Sequence, residues 1–300
     1  MDKLKVNFLG KEFKNPLVAA SGTFGFGREY SEFFDINRLG GICSKGLTLK
    51  PQPGNTGVRI WETPSGVINS IGLENPGVRS FIIKELPYMN KSSSRVIVNF
   101  GAHSTEDFLS GIEMLNKEEL DFIELNISCP NVKEGGMAFC MNGQSAYDIT
   151  KKVKEESIHP IIVKLSPNAP SIVDVAKAVE EAGADALSLT NTFLAMAIDI
   201  NKKKAVFDNI YAGLSGSAIK PIALRMVHQV AKNTNIPILA YGGISNYMDA
   251  LEFIMAGATL IGVGSATFAN PTVMPEIIDD LEEYLTRNNI NNVSELIGIV

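Results

Sequence analysis

Eight short apolar runs recur along this chain with helical patterns or long connections between them, and no other feature constrains the fold as strongly. The runs are Leu17-Val-Ala-Ala20, Gly41-Ile-Cys-Ser44, Val96-Ile-Val-Asn99, Phe122-Ile-Glu-Leu125, Ile161-Ile-Val-Lys164, Ala186-Leu-Ser-Leu189, Ile238-Leu-Ala-Tyr241 and Leu260-Ile-Gly-Val263. Their apolar character is continuous rather than alternating, which marks strands buried on both faces, as in a parallel sheet. The segments between them are amphipathic: residues 172 to 182 place Val175, Ala178 and Val179 at helical spacing. Eight such units in 300 residues, with 45% hydrophobic content to fill one large core, predict an α/β fold. The specific expectation is a (β/α)8 TIM barrel in a single domain spanning residues 1–300. A doubly wound sheet is the structural alternative, but it rarely needs eight units.

Two connections exceed ordinary length. Residues 46–76 follow the second run and residues 193–217 follow the sixth. Loops this long in a compact domain are usually lids or binding loops. Both should emerge at the carboxyl ends of strands, the face that carries barrel active sites.

The remaining composition excludes several classes of function. The formal net charge is -6, with no basic cluster to attract nucleic acid and no basic amphipathic stretch for a membrane surface. No apolar stretch approaches the ~20 residues of a membrane span, and the start lacks the apolar core of a signal peptide. Cys43, Cys129 and Cys140 are too few and too irregularly spaced for a disulfide framework or a zinc site, so no metal is expected and a reducing cytoplasm fits. Cys43 reads as a small buried hydrophobe. None of the three histidines has the acid and nucleophile of a hydrolytic triad nearby in sequence.

Polar residues gather where the strands end: Ser21, Lys45, Asn99, Asn126, Cys129, Lys164, Asn191 and Thr192. Singly, each could be a cap or a satisfied polar group. The two lysines are harder to dismiss, because burying an ammonium costs several kcal/mol without an anion. No carboxylate lies beside Lys45 or Lys164 in sequence; a ligand would serve. Cys129 stands against Pro130 at the end of Glu124-Leu-Asn-Ile-Ser-Cys-Pro-Asn131, ahead of a loop with two adjacent glycines. A thiol placed there suits chemistry better than packing. Glycine pairs in Tyr241-Gly-Gly-Ile244 and Gly262-Val-Gly-Ser-Ala266 follow the seventh and eighth runs, where barrels often hold phosphate on backbone N–H groups. No G-x-G-x-x-G dinucleotide fingerprint is present.

Taken in order, these motifs resemble the class 1 dihydroorotate dehydrogenases over essentially the whole length. The resemblance is carried by Ala20-Ser-Gly22, Ser44-Lys-Gly46, Asn69-Ser-Ile-Gly-Leu73 with Asn75-Pro-Gly77, and Asn126-Ile-Ser-Cys-Pro-Asn131. It continues through Lys164-Leu-Ser-Pro167, Thr190-Asn-Thr192, Leu214-Ser-Gly216 with Ile219-Lys-Pro221, and Gly242-Gly-Ile244. Cysteine at 129 is the class 1 residue, where class 2 has serine. The continuation Asn131-Val-Lys-Glu-Gly-Gly-Met-Ala-Phe139 is similar to that of the NAD-linked class 1B branch.

The resemblance implies one FMN per chain and the oxidation of dihydroorotate to orotate, with Cys129 as general base. It implies that Lys45 meets both flavin and substrate, and that Lys164 lies against the flavin N1–O2 edge. Substrate contacts would come from Asn69, Ser70, Ile71, Gly72, Leu73, Asn126, Asn191 and Thr192. Flavin contacts would come from Ser21, Gly46, Asn99, Asn126 and Thr190, and phosphate contacts from Gly216, Gly242, Gly243, Gly264 and Ser265. The branch also implies an electron-transfer subunit carrying FAD and a 2Fe-2S cluster, and a homodimer of this chain within a heterotetramer. Nothing in this sequence has the cysteine spacing to hold such a cluster. Departures from the family pattern are Ser265 for threonine, Glu74 for glutamine, and Ala195 and Cys140 for glycines. Three rival readings remain: a fumarate-linked class 1A-like enzyme, a phosphosugar aldolase or lyase barrel forming a Schiff base on Lys164, and a non-catalytic flavin-binding protein.

Overall fold

The computed structural model describes residues 2–127 and 142–300; Cys129, Cys140 and the loop after Cys129 lie outside them. Eight parallel strands close into a barrel in chain order: β1 (Leu17–Ala19), β2 (Gly41–Cys43), β3 (Arg95–Phe100), β4 (Phe122–Asn126), β5 (Ile161–Lys164), β6 (Ala186–Leu189), β7 (Ile238–Tyr241) and β8 (Leu260–Val263). Each of the eight apolar runs has become a barrel strand, β5 pairing with β6 and β8 with β1 to complete the circle. Double burial explains why the runs do not alternate: every residue of β5, β6, β7 and β8 is buried.

The longer outer helices are α1 (Val78–Lys84), α2 (Thr105–Leu115), α3 (Gly143–Glu156), α4 (Ile172–Glu181), α5 (Lys220–Ala231), α6 (Tyr247–Met255) and α7 (Val273–Arg287). Side chains of Ser104, Asn142, Ser171 and Asn246 each accept a backbone N–H at the start of α2, α3, α4 and α6, which fixes where those helices begin. The buried stripe of α4 runs through Ile172, Val175, Ala176 and Val179. Ala178, expected in that stripe, stands half-buried at its edge, one step round the helix.

The two long connections differ from the separate loops expected. They carry strands that join in one antiparallel sheet, in the order Phe193–Met196, Tyr211–Ser215, Gly66–Asn69, Ile60–Thr63. Gly213 stands opposite Asn69, Leu214 opposite Ile68 and Ser215 opposite Val67. A satellite core of Ile68, Phe207 and Ala212, all nearly inaccessible, holds the sheet together, with Ala195 packed against it. Strands of four or five residues paired across some 140 positions leave little local signal. Because both segments leave the barrel from the carboxyl ends of β2 and β6, the sheet belongs to the carboxyl face.

The opposite end is closed by an N-terminal hairpin, Val6–Phe8 with Lys11–Phe13. Its turn residues Leu9 and Gly10 both have positive φ, as a two-residue hairpin of primed type requires. Phe8 and Phe13 pack on Phe122 at the first position of β4, with ring centroids 5.7 and 5.8 Å away. That leaves the carboxyl face as the open end. Among the described residues, no helix is long and apolar enough to cross a membrane.

Candidate active site

The carboxylate of Glu124 sits inside the barrel, fully buried, and side chains from four other strands converge on it. Lys164 of β5 places its ammonium 3.3 Å from Oε2. Tyr241 of β7 donates its hydroxyl to Oε1 at 2.9 Å. Asn99 of β3 donates its amide, and the Cys43 thiol of β2 lies 3.4 Å from Oε2. Lys164 also donates to the Ser21 hydroxyl at 3.1 Å and stands 4.3 Å above the centre of the Tyr241 ring.

This corrects the expectation that Lys164 must look to a ligand for its anion. Its counter-ion is Glu124 on the adjacent strand, distant by 40 positions in sequence. Burial pushes the Glu124 carboxyl up, but the Lys164 charge and the hydrogen bonds from Asn99 and Tyr241 outweigh it and hold the group below the ordinary carboxylate value. Burial first, then the Glu124 charge, push the Tyr241 phenol and the Cys43 thiol well above their usual values, so both stay protonated donors at neutral pH. Cys43 is buried as expected, and it also helps to solvate the carboxylate.

Lys45 behaves differently. It follows β2 at the mouth, half-buried, with its backbone N–H bonded to Gly25 O at 2.9 Å. Among the described residues its ammonium has no hydrogen-bonded or ion-paired partner. Its charge is felt by Glu74, whose carboxylate is lowered first by a hydrogen bond from Arg59 and then by the Lys45 charge. The glutamate at 74 is therefore taken up by Arg59 within the sheet-bearing loop.

Several of the predicted positions are joined by direct contacts. Asn126 stands opposite Lys164 in the β4–β5 register, and its amide approaches Asn99 Oδ1 at 3.4 Å. A Cβ on Gly46 would fall 3.0 Å from Asn99 Oδ1 and 3.3 Å from Leu73 Cδ2, so these three positions are in contact. Asn69 donates to Gly213 O at 3.2 Å, and Gly213 packs directly on Thr192, whose backbone N–H bonds to Asn191 Oδ1 at 2.8 Å. Ser70 is turned inward, its hydroxyl accepting from Asn55 and Asn209. Ile71 O accepts from Asn55 N, and Gly72 packs against Asn55, so one asparagine anchors the whole 69–73 turn.

Among the glycines expected to meet phosphate, Gly243 has positive φ, and a side chain there would strike Gly216 O at 2.6 Å. Gly242 packs on α5 and lies near Thr190. The Thr190 hydroxyl is buried and has no hydrogen-bond partner among the described residues. Gly264 lies beside Ala20 with room to spare, and Ser265 leads into a short helical turn, Ala266–Ala269. Cys129 lies outside the described residues.

Sequence reasoning passed over Glu124, Tyr241, Arg59 and Asn55. For Glu124 a signal existed: a glutamate inside a strand buried on both faces demands compensation. Nothing local marked the other three.

Comparison with known proteins adds an independent line of evidence. Residues 3–285 match the family model described as dihydroorotate dehydrogenase. The chain is 54% identical to the "dihydroorotate dehydrogenase B (NAD(+)), catalytic subunit" of Petrotoga mobilis, over 99% of both chains. It is 52% identical to the protein of the same name from Brachyspira hyodysenteriae, again over 99% of each, and 49% identical to that of Thermoanaerobacter pseudethanolicus, over 98% of each.

Proposed function

The chain belongs to the dihydroorotate dehydrogenase family, and on that premise we propose that it is the catalytic subunit of an NAD-linked enzyme oxidising (S)-dihydroorotate to orotate in de novo pyrimidine synthesis. The relatives carry the choice of reaction. The geometric observation that best supports it is Lys45, a cation at the barrel mouth that no ion pair among the described residues neutralises, since the nearby Glu74 is held by Arg59. Dihydroorotate carries a carboxylate that would.

The mouth also fits FMN. The Thr190 hydroxyl without a partner among the described residues, the close-packed Gly216–Gly243 turn and the side-chain-free Gly264 are what a flavin phosphate and ring would use. When bound, FMN supplies N5 as the acceptor of the hydride from C6. In this reading one domain, residues 1–300, holds one FMN through Ser21, Lys45, Gly46, Asn99, Asn126, Lys164, Thr190, Gly216, Gly242, Gly243, Gly264 and Ser265.

The chain's own residues do the rest. Lys45 binds the substrate carboxylate, and Asn126, Asn191, Thr192 and the 69–73 turn hydrogen-bond the ring. The Cys129 sulfur, as thiolate, takes the proton from C5. Lys164, held between Glu124 and Ser21, directs a fixed positive charge to where electron density arrives. A partner subunit with FAD and a 2Fe-2S cluster would carry the electrons to NAD, this chain pairing with a second copy in a cytoplasmic heterotetramer. The word "catalytic" in the relatives' names supports a separate electron-transfer subunit.

The rivals fare less well. A Schiff-base reading finds the Lys164 amine already engaged by Glu124 at 3.3 Å and Ser21 at 3.1 Å, and it leaves Cys129 and the asparagine series idle. Fumarate-linked chemistry has no support among the NAD-named relatives. The test is an anaerobic absorbance spectrum before and after adding dihydroorotate. A bound flavin whose visible band bleaches would support the reading; a chain that stays colourless in excess FMN would sink it.

A further inference from the structure

A TIM-barrel core is ordinarily filled with branched apolar side chains, and an ion pair inside one is a poor way to gain stability. Among the described residues only Glu124, Lys164 and Asp249 are charged and buried, and Asp249 pairs with Lys220 at an outer helix. Glu124 and Lys164 are therefore the charged centre of the barrel itself. Glu124 stands opposite Ile162, two residues before Lys164 on β5, so the carboxylate lies one side-chain level deeper than the lysine's own position. Tyr241, Asn99 and Cys43 add three further donors to it. An anion solvated this thoroughly by its surroundings is built to stay charged.

From this we infer that Glu124 is a positioning residue for the redox reaction: from beneath, it holds the Lys164 ammonium in place against Ser21 and partly neutralises it, thereby setting the reduction potential of the bound flavin. The inference rests on the reading of the mouth as an FMN site. Lys164 draws electron density toward the flavin; Glu124 limits how strongly it does so. Coulomb interactions in this buried, enclosed layer are felt over several ångströms, so removing the negative charge leaves the lysine's field uncompensated.

The experiment is a potentiometric titration of FMN bound to the wild-type chain and to the Glu124→Gln and Glu124→Asp variants, each with its partner subunit. Glu124→Gln should move the potential in the positive direction, raising the equilibrium constant for flavin reduction about tenfold or more, which for a two-electron couple is about 30 mV. Glu124→Asp keeps the charge and should return the potential toward the wild-type value. Glu124→Gln with full FMN occupancy and an unmoved potential would overturn the inference while leaving the flavin site intact. A wild-type chain that binds no flavin would instead refute the site reading on which it rests. Should Glu124→Gln fail to fold, infrared difference spectra of the 13C-glutamate-labelled wild-type protein decide. Flavin reduction should perturb a buried carboxylate band without producing a carboxylic-acid band, and a silent carboxylate region would overturn the proposal.

Discussion

The ring of Tyr241 occupies the space that a side chain at residue 262 would need: a Cβ built on Gly262 falls 1.9 Å from Tyr241 Cε1. The two residues are neighbours in the β7–β8 register, and Tyr241 carries a hydroxyl to Glu124. Gly262→Ala should therefore push the ring aside and cost about 1–3 kcal/mol, the usual penalty of overpacking. Gly264→Ala, whose Cβ would meet nothing closer than 3.7 Å, should leave stability within about 0.5 kcal/mol yet weaken FMN binding. Denaturant unfolding of both variants, with FMN titration, checks the contrast; equal destabilisation would contradict it.

Lys45 makes no polar contact through its ammonium among the described residues, so Lys45→Ala should fold with nearly wild-type stability. Losing a charge-assisted contact to the substrate carboxylate, worth about 1.5–3 kcal/mol, should raise the KM for dihydroorotate about ten- to a hundredfold. Steady-state kinetics beside a melting curve would separate the two effects. A large drop in melting temperature would reveal a structural role instead.

For Cys129, Cys129→Ala should retain FMN while flavin reduction by dihydroorotate slows about 10²–10⁴-fold, the ordinary contribution of a positioned base. Stopped-flow absorbance at several pH values is the measurement. An undiminished rate would remove the thiol from the role of base.

Lys220 and Asp249 bring a pH dependence away from the mouth. Their ion pair spans 2.7 Å between α5 and α6, and Ser245 donates twice to the same carboxylate. Burial pushes the Asp249 carboxyl up, but Lys220 and Ser245 bring it below its ordinary value; burial lowers Lys220, but its acidic partners raise it above. The aspartate's stabilisation is complete above its unfolded value of about 3.9 and is lost as pH falls through the lower folded value. The lysine's is complete below about 10.4 and is lost as pH rises through the higher folded value. Unfolding free energy should thus show a plateau between these limits, and Asp249→Asn should lower the plateau and flatten the acid limb. An acid limb as steep as wild type would show that other carboxylates dominate it.

Much of the fold was written locally. Each barrel strand is a continuous apolar run, and burial on both faces is a property of the segment itself, so eight runs sufficed to predict the barrel. The antiparallel sheet over the mouth was not legible, because its strands are short and the pairing that joins its two halves, Gly66–Asn69 with Tyr211–Ser215, spans more than a hundred positions. Site residues at strand ends were readable for the same reason the strands were: the end of an apolar run locates the rim. Ser70 shows the limit of that logic, since its place in the motif gave no hint that its hydroxyl faces Asn55 and Asn209.

By itself, then, the sequence determined the order of strands, the face on which the site assembles and the residue types gathered there, because periodicity and strand termini are local properties of the chain. Only the tertiary structure decided which charges compensate each other. Lys45 and Lys164 look alike in sequence, each a cation where an apolar run ends. Barrel closure gives Lys164 a buried glutamate and leaves Lys45 without an ion pair among the described residues, because charge pairing depends on distances in space that no spacing along the chain encodes.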